Sequence, residues 1–328
     1  LKVSSGSGSG IQASKGFSFY GTTLDIEGVS GIDSGGDISI TATSTRIVTN
    51  CYSPISGEYV YIDSDYLFLQ NLMEEENHPL ADWAGISASA DVSVTSNDAT
   101  IIGKYGISTN SWSVDSDDNL SLTGIGNVNL TGNFYVVGMI ENAILCSKDV
   151  TVEGSLTAQG SVIEQGSDNP FYYGICSAIS ADNFSFKGTA LDVKGYAGIS
   201  ATGIDIEADS VSISTDVGDA LFGKEVYVAT ESLWAENKAI KTNEAYNYGQ
   251  YGIHAQEELI LDANGTVVGY DAALHSDNHY VYVNGSVTAV SKTDAGMSAP
   301  NGNVNLYGGP MVAVGDTHGI SAKCVTFE

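Results

Sequence analysis

Three aspartates, Asp115, Asp117 and Asp118, crowd into the segment SVDSDDNLSL, the densest acidic turn of the chain. Carboxylates at this spacing can collect Ca²⁺, a hard cation that takes oxygen ligands. The glycine at position six and the distal glutamate of an EF-hand loop are both missing, so the motif is not that one. A solvated turn is the plainer reading of the same residues. The five histidines are His78, His254, His275, His279 and His318. His275 and His279 stand four apart in LHSDNHYVYV, which reads as a turn entering a strand. That is not the helical i, i+4 face on which two imidazoles grip zinc. No H-E-x-x-H, G-x-S-x-G or phosphate-loop pattern is present. Aromatic residues offer a different chemistry, since an exposed ring can stack on a sugar. Trp83, Trp234, Tyr246, Tyr248 and Tyr251 lie in or beside two segments, 70–84 and 235–251, that interrupt an otherwise regular pattern. Loops on a rigid scaffold are where binding usually resides. The bland alternative is that these segments fold back and bury their rings in a satellite core.

The pattern they interrupt is a repeat on two scales. Residues 16–32 (GFSFYGTTLDIEGVSGI) match 183–199 (NFSFKGTALDVKGYAGI) at ten of seventeen positions without a gap. GEYVYIDSDYLFLQN at 57–71 answers GKEVYVATESLWAEN at 223–237, and GNVNL occurs at both 126–130 and 302–306. Two halves, 10–165 and 166–328, therefore share one plan. Inside each half a Gly-Ile step recurs, as at Gly10-Ile11 and Gly31-Ile32, or Gly85-Ile86 and Gly106-Ile107, 21 residues apart in each case. The steps at Gly252-Ile253 and Gly296-Met297 are 44 apart, room for two units; the gaps of 54 from 31 to 85 and from 198 to 252 hold two units and an insertion. A unit this short cannot bury its own apolar face and must stack on its neighbours.

Short alternating runs follow each step, such as DISI (37–40), DVSVT (91–95), GIDIEA (203–208) and YVYVNG (280–285). Their period of two gives one buried and one wet face. The expected strands are 3–6 residues long and bounded by Gly, Asn and Asp turns. A β-sandwich would need hairpins, and a propeller blade would need about 40–50 residues. The expectation is an all-β, right-handed parallel β-helix of about 21–24 residues per coil, a single continuous body built by tandem duplication. In it the Ile of each step stacks on the Ile of the next coil, and the preceding Gly takes a backbone angle that other residues resist.

Composition narrows the function. There are 40 acidic residues against 12 basic ones, a net charge of −28. A phosphate backbone requires clustered Lys and Arg, so nucleic acid is not an expected partner. The 38 glycines and 5 prolines fit many tight turns, and no apolar run is long enough to span a membrane. No useful helical periodicity appears; LMEEENHPLADW is the best candidate, and Pro79 limits it. The four cysteines (Cys51, Cys146, Cys176, Cys324) lack C-x-x-C spacing and read as small core residues. Residues 1–9 (LKVSSGSGS) read as a linker or trimmed mature end. The closing KCVTFE is strand-like, which predicts a covering element or end-to-end self-association at the terminal coil.

Runs such as GISATGIDIEADSVSIS (198–214) and GIDSGGDISITA (31–42) resemble the pectate-lyase-like right-handed β-helices, closest to carbohydrate-binding β-helix surface proteins of anaerobic bacteria. The resemblance covers most of residues 10–328 and is specific for architecture more than for ligand. It implies an exported or cell-surface protein, sugar contact, and Ca²⁺ in some members. A polysaccharide lyase on this fold needs a basic residue beside Ca²⁺-binding acids; the single arginine, Arg46 in TSTRIVTN, reads instead as a surface strand residue. Acids are plentiful enough to form a hydrolase pair, but their clusters fall at turns. The sequence therefore leans toward a non-catalytic polysaccharide-binding module, with a structural stalk or adhesin as the alternative and a lyase or hydrolase behind both.

Overall fold

A computed structural model of the chain describes residues 1–72, 83–109, 112–114, 120–122, 126–161, 177–239 and 250–328. It divides into two compact units, Leu1–Gly160 with Ser180–Asp182, and Ser161–Ile179 with Asn183–Glu328. Among the described residues there is no helix, and therefore none long and apolar enough to cross a membrane. The best helical candidate of the sequence, near residue 75, lies outside the described residues.

Within each unit, strands pair in parallel and in register with a segment roughly one sequence repeat away. In the first unit Gly16–Gly28 lies beside Asp37–Thr49, followed by Val60–Asn71, Val92–Gly103, Val128–Gly138 and Asp149–Gln159. In the second, Asn183–Gly195 lies beside Gly203–Thr215, followed by Leu221–Asn237 and Ile253–Gly269. Tyr280–Asn284 and Val287–Ser291 share the next level, then come Ala295–Tyr307 and His318–Phe327. One short antiparallel pair, Trp112–Val114 with Leu120–Leu122, stands apart from this pattern.

The Gly-Ile step forms the expected ladder. Ile11, Ile32, Ile55, Ile86, Ile107 and Ile144 are partnered in succession, and so are Ile199, Leu221, Ile253, Leu274, Met297 and Ile320. Most are fully buried, each worth about 1.5–3 kcal/mol relative to exposure. Ile55 and Leu221 fill the long gaps, and Leu274 fills the gap of 44. The glycine before the ladder plays a different part from the one expected. None of these step glycines has a positive φ. Space is the constraint: a Cβ on Gly31 would sit 2.1 Å from the Pro54 carbonyl oxygen, and one on Gly198 2.0 Å from that of Ala220.

The strands are longer than the expected 3–6 residues, at 11–17 for the main ones. The cause is legible in Asp37–Thr49. Ile38, Ile40 and Ala42 are buried, and then Thr45, Ile47 and Thr49, so the alternation slips by one residue at Thr43-Ser44. A flat strand would turn its second half outward at such a slip. Here the strand bends instead, and both halves keep their apolar side inward. The same slip falls between Ser64 and Leu67, between Ser96 and Ala99, and between Thr230 and Leu233.

Other expectations need correction. Residues 2–4, read as linker, form a strand in register with Asp25–Glu27, and Ser9–Ala13 is a strand as well. Cys146 is buried as expected, but Cys51 is half-buried and Cys324 exposed; both are free thiols, and Cys176 lies outside the described residues. Cys324 is exposed because no residue of His318–Phe327 is buried.

Candidate functional site

The wet face of the second unit carries a stripe built by register. Ser185, Asp205, Tyr227, Ile260 and Tyr282 are successive partners on five neighbouring strands. They point outward because Phe184, Ile206, Val228, Leu261 and Val283 beside them point inward. Over this stripe lies an open groove of about 570 Å³, lined by Asp205, Glu207, Glu225, Tyr227, Glu258 and Ile260 among others. Tyr282 and Tyr307 stack at its far side with ring centroids 4.9 Å apart. The Tyr280 hydroxyl donates to Glu258 Oε2 at 2.9 Å.

Negative charge accumulates here. Burial, and then the neighbouring Glu207 charge, push the Asp205 carboxyl above its ordinary value against the pull of Lys187. Burial and the charges of Asp262, Glu207 and Asp205 push the Tyr227 phenol up. One cation answers directly: Lys187 Nζ lies 3.1 Å from Glu207. Arg46 belongs to a comparable wet-face row in the first unit, where it donates to Asp25 at 2.9 Å and Glu27 at 2.6 Å. It is a surface strand residue, as read from the sequence.

A second cluster sits at the corner that follows the apolar ladder. His254 and His275 are in register, each directly after its ladder residue, Ile253 and Leu274. His254 Nδ1 is 3.1 Å from Asp219 Oδ2, and its Nε2 is 3.2 Å from Asp277 Oδ2. His275 Nε2 is 3.0 Å from Asp277 Oδ1. Asp219 also accepts the Tyr251 backbone N–H at 2.7 Å. The Tyr251 ring lies flat on His275 at 4.3 Å and edge-on to His254 at 4.5 Å; Phe222 packs against His254 at 5.0 Å. Both imidazoles and Asp219 are buried, while the Asp277 carboxylate is 42% exposed.

These groups perturb one another. Burial alone would push the His254 imidazole down, but hydrogen bonding and charge from Asp219, joined by Asp277, hold it above its ordinary value. Burial pushes the Asp219 carboxyl up while His254 draws it back. His275 is pushed down by burial and by its charged neighbour His254. The Tyr251 phenol is raised, by burial first and then by Asp271, Asp219 and Asp277.

The residues singled out from sequence distribute unevenly over these features. Trp234 is exposed on a strand, in register with Ser212 and Thr266, apart from the tyrosine stripe. Trp83 is buried, with Lys104 Nζ 5.7 Å from its ring centroid. Tyr251 is half-buried and packs on the histidines rather than offering an open face. Tyr246 and Tyr248, the proposed Ca²⁺ turn at Asp115, Asp117 and Asp118, and the middles of both interrupting segments lie outside the described residues. His279 does not join His275; it is exposed, 3.7 Å from Glu258. The partnership of His254 with His275 was missed because the two are remote in sequence. The signal was present, since both follow the apolar residue of the repeating step and stand one 21-residue beat apart.

The chain matches no known protein-family model, no curated protein sequence and no solved structure.

Proposed function

We propose that this chain is a non-catalytic β-helix protein that holds an extended polysaccharide along its wet face. The reading takes the parallel, in-register strands as coils of a right-handed, pectate-lyase-like solenoid acting outside the cell. The observation that carries it is the groove over Asp205, Glu207, Glu225, Tyr227 and Glu258, open to solvent and flanked by the stacked pair Tyr282 and Tyr307. Aromatic rings offer flat apolar faces to sugar rings, and the carboxylates accept their hydroxyl protons. Crowded acids also favour a bridging hard cation, so Ca²⁺ would let the same face take an acidic polymer. The lysine beside the groove, Lys187, is tied to Glu207 at 3.1 Å, which disfavours it as the base of a lyase. A stalk or adhesin role is the second reading, favoured by the regularity of the strand ladder itself.

Thermal unfolding in EDTA or Ca²⁺, with neutral and uronate polysaccharides, tests the proposal, because a ligand of the folded state raises the midpoint. A shift that is lost in Tyr227→Ala and Tyr282→Ala supports the groove. No shift with any polymer favours the stalk.

A further inference from the structure

At the corner of His254, His275 and Asp277, two buried imidazoles converge on one carboxylate. Asp219 accepts only, so the proton it binds at 3.1 Å belongs to His254 Nδ1. Asp219 is in turn fixed by the Tyr251 N–H on its other oxygen. The remaining nitrogen of His254, Nε2, faces Asp277 Oδ2 at 3.2 Å: as imidazolium it donates a second hydrogen bond there, and as the neutral ring it offers a lone pair that a cation could share with the carboxylate. His275 completes the geometry from the next strand, its Nε2 3.0 Å from the other Asp277 oxygen. Its Nδ1 is buried without a hydrogen-bond partner, which leaves Asp277 to orient the ring.

From these contacts we propose that His254, His275 and Asp277 bind a divalent transition-metal ion of the zinc class. The three donor atoms lie within 4.8 Å of one another. Ligands on a tetrahedral ion with bonds of about 2.0–2.1 Å stand about 3.3 Å apart, so donors already within 4.8 Å of one another need only close modestly around it. Two imidazoles and a carboxylate suit zinc, nickel or copper better than Ca²⁺ or Mg²⁺, which want oxygen throughout. Asp219 is the orienting partner behind the ligand: a carboxylate on the far nitrogen fixes tautomer and ring angle. Tyr251 and Phe222 lock the rings by packing. Charge balances as well, two carboxylates against one dication. Asp277, half in solvent, gives the ion a way in and leaves coordination positions to water. The site stands independently of the polysaccharide reading, on another part of the unit.

The test is titration of the chelator-stripped full chain with Zn²⁺, and with Co²⁺ or Cu²⁺ as spectroscopic reporters, in a large excess of Ca²⁺ to occupy surface acids. The expected result is one equivalent bound, visible Co²⁺ bands of low-coordinate geometry, and nitrogen superhyperfine structure in the Cu²⁺ spectrum of the wild-type chain. His254→Ala and His275→Ala lose the bound equivalent, whereas His279→Ala keeps it. Asp219→Asn retains the Co²⁺ bands but weakens affinity by about 10–100-fold. Uptake that is abolished by Ca²⁺, a wild-type Cu²⁺ spectrum with oxygen ligands alone, or undiminished binding in both histidine variants overturns the proposal. The wild-type Cu²⁺ spectrum decides even if a variant fails to fold.

Discussion

Asn237 stands in register with Thr215 on the neighbouring strand, and both side chains are fully buried. Its Nδ2 donates to the Val217 and Gly218 carbonyls, each at 2.9 Å, and its Oδ1 accepts the Ala239 N–H at 2.8 Å. Thr215 Oγ1 donates to the same Gly218 carbonyl at 2.6 Å. Asn71 above Thr49 repeats the arrangement in the first unit. A chain that bends inward at each corner turns backbone carbonyls away from the ladder, and these side chains satisfy them.

Asn237→Leu should therefore destabilise the protein by at least about 2 kcal/mol, since buried backbone groups lose their partners. Asn237→Asp should be worse still at neutral pH, where a buried carboxylate would face two carbonyl oxygens. Urea unfolding curves of the two variants measure the order; equal stability to wild type would show that the corner does not depend on this side chain.

Gly198→Ala isolates the glycine of the repeating step. The new Cβ would lie 2.0 Å from the Ala220 carbonyl oxygen and 2.9 Å from Ile213 Cγ2. Backbone must move, which places the cost at about 1–3 kcal/mol, the range of overpacking in a close-packed core. Gly6→Ala is the control, having nothing within 4 Å of its Cβ. Thermal midpoints of the pair should separate clearly, with the control unchanged.

Asp25 supplies a pH dependence. Hydrogen bonds from Arg46 and then Lys2 hold its carboxyl below the ordinary value of 3.8. A carboxyl depressed in the folded state contributes stability above the unfolded value, and that contribution is lost as pH falls through the folded one. Replacing the partner, Arg46→Met, should lower stability at neutral and alkaline pH, where Asp25 is ionised in wild type. The difference between variant and wild type should close as pH falls below 3.8 through the folded-state titration of Asp25. The effect is small, because the pair is solvent-exposed and screened by salt. Acid titrations at low and high ionic strength should show the difference shrinking with salt.

The ladder was legible in the sequence because Ile32, Ile86 and Ile107 each carry a glycine immediately before them, so a constant dipeptide marks the level. Ile55, Ile144, Leu221 and Leu274 follow Pro54, Ala143, Ala220 and Ala273 instead, and only the spacing betrays them. What the motif meant physically was not legible: close approach to the next carbonyl excludes a Cβ at Gly31 and Gly198, not an unusual dihedral. The groove was hidden for another reason. Tyr227 meets Ile260 across an insertion, so their register depends on how many residues leave the ladder between them. The histidine corner was hidden in the same way as regards Asp219, 35 residues from its partner His254.

The FSF motif provides a last prediction, because identical letters occupy different environments. Phe184 and Phe186 are each 1% exposed, in register with Ile204 and Ile206. Phe17 and Phe19, their counterparts in the duplication, are half-buried although they are in register with the apolar pair Ile38 and Ile40. Truncating a fully enclosed ring loses its transfer energy and leaves a cavity, about 3–5 kcal/mol together. A ring that keeps one side in water has less burial to lose, and solvent fills the space. Phe186→Ala should thus cost several times more than Phe19→Ala in the same denaturant titration. Equal losses would mean that the two motifs contribute alike to folding, and that burial in the second unit is not what gives its copy greater weight.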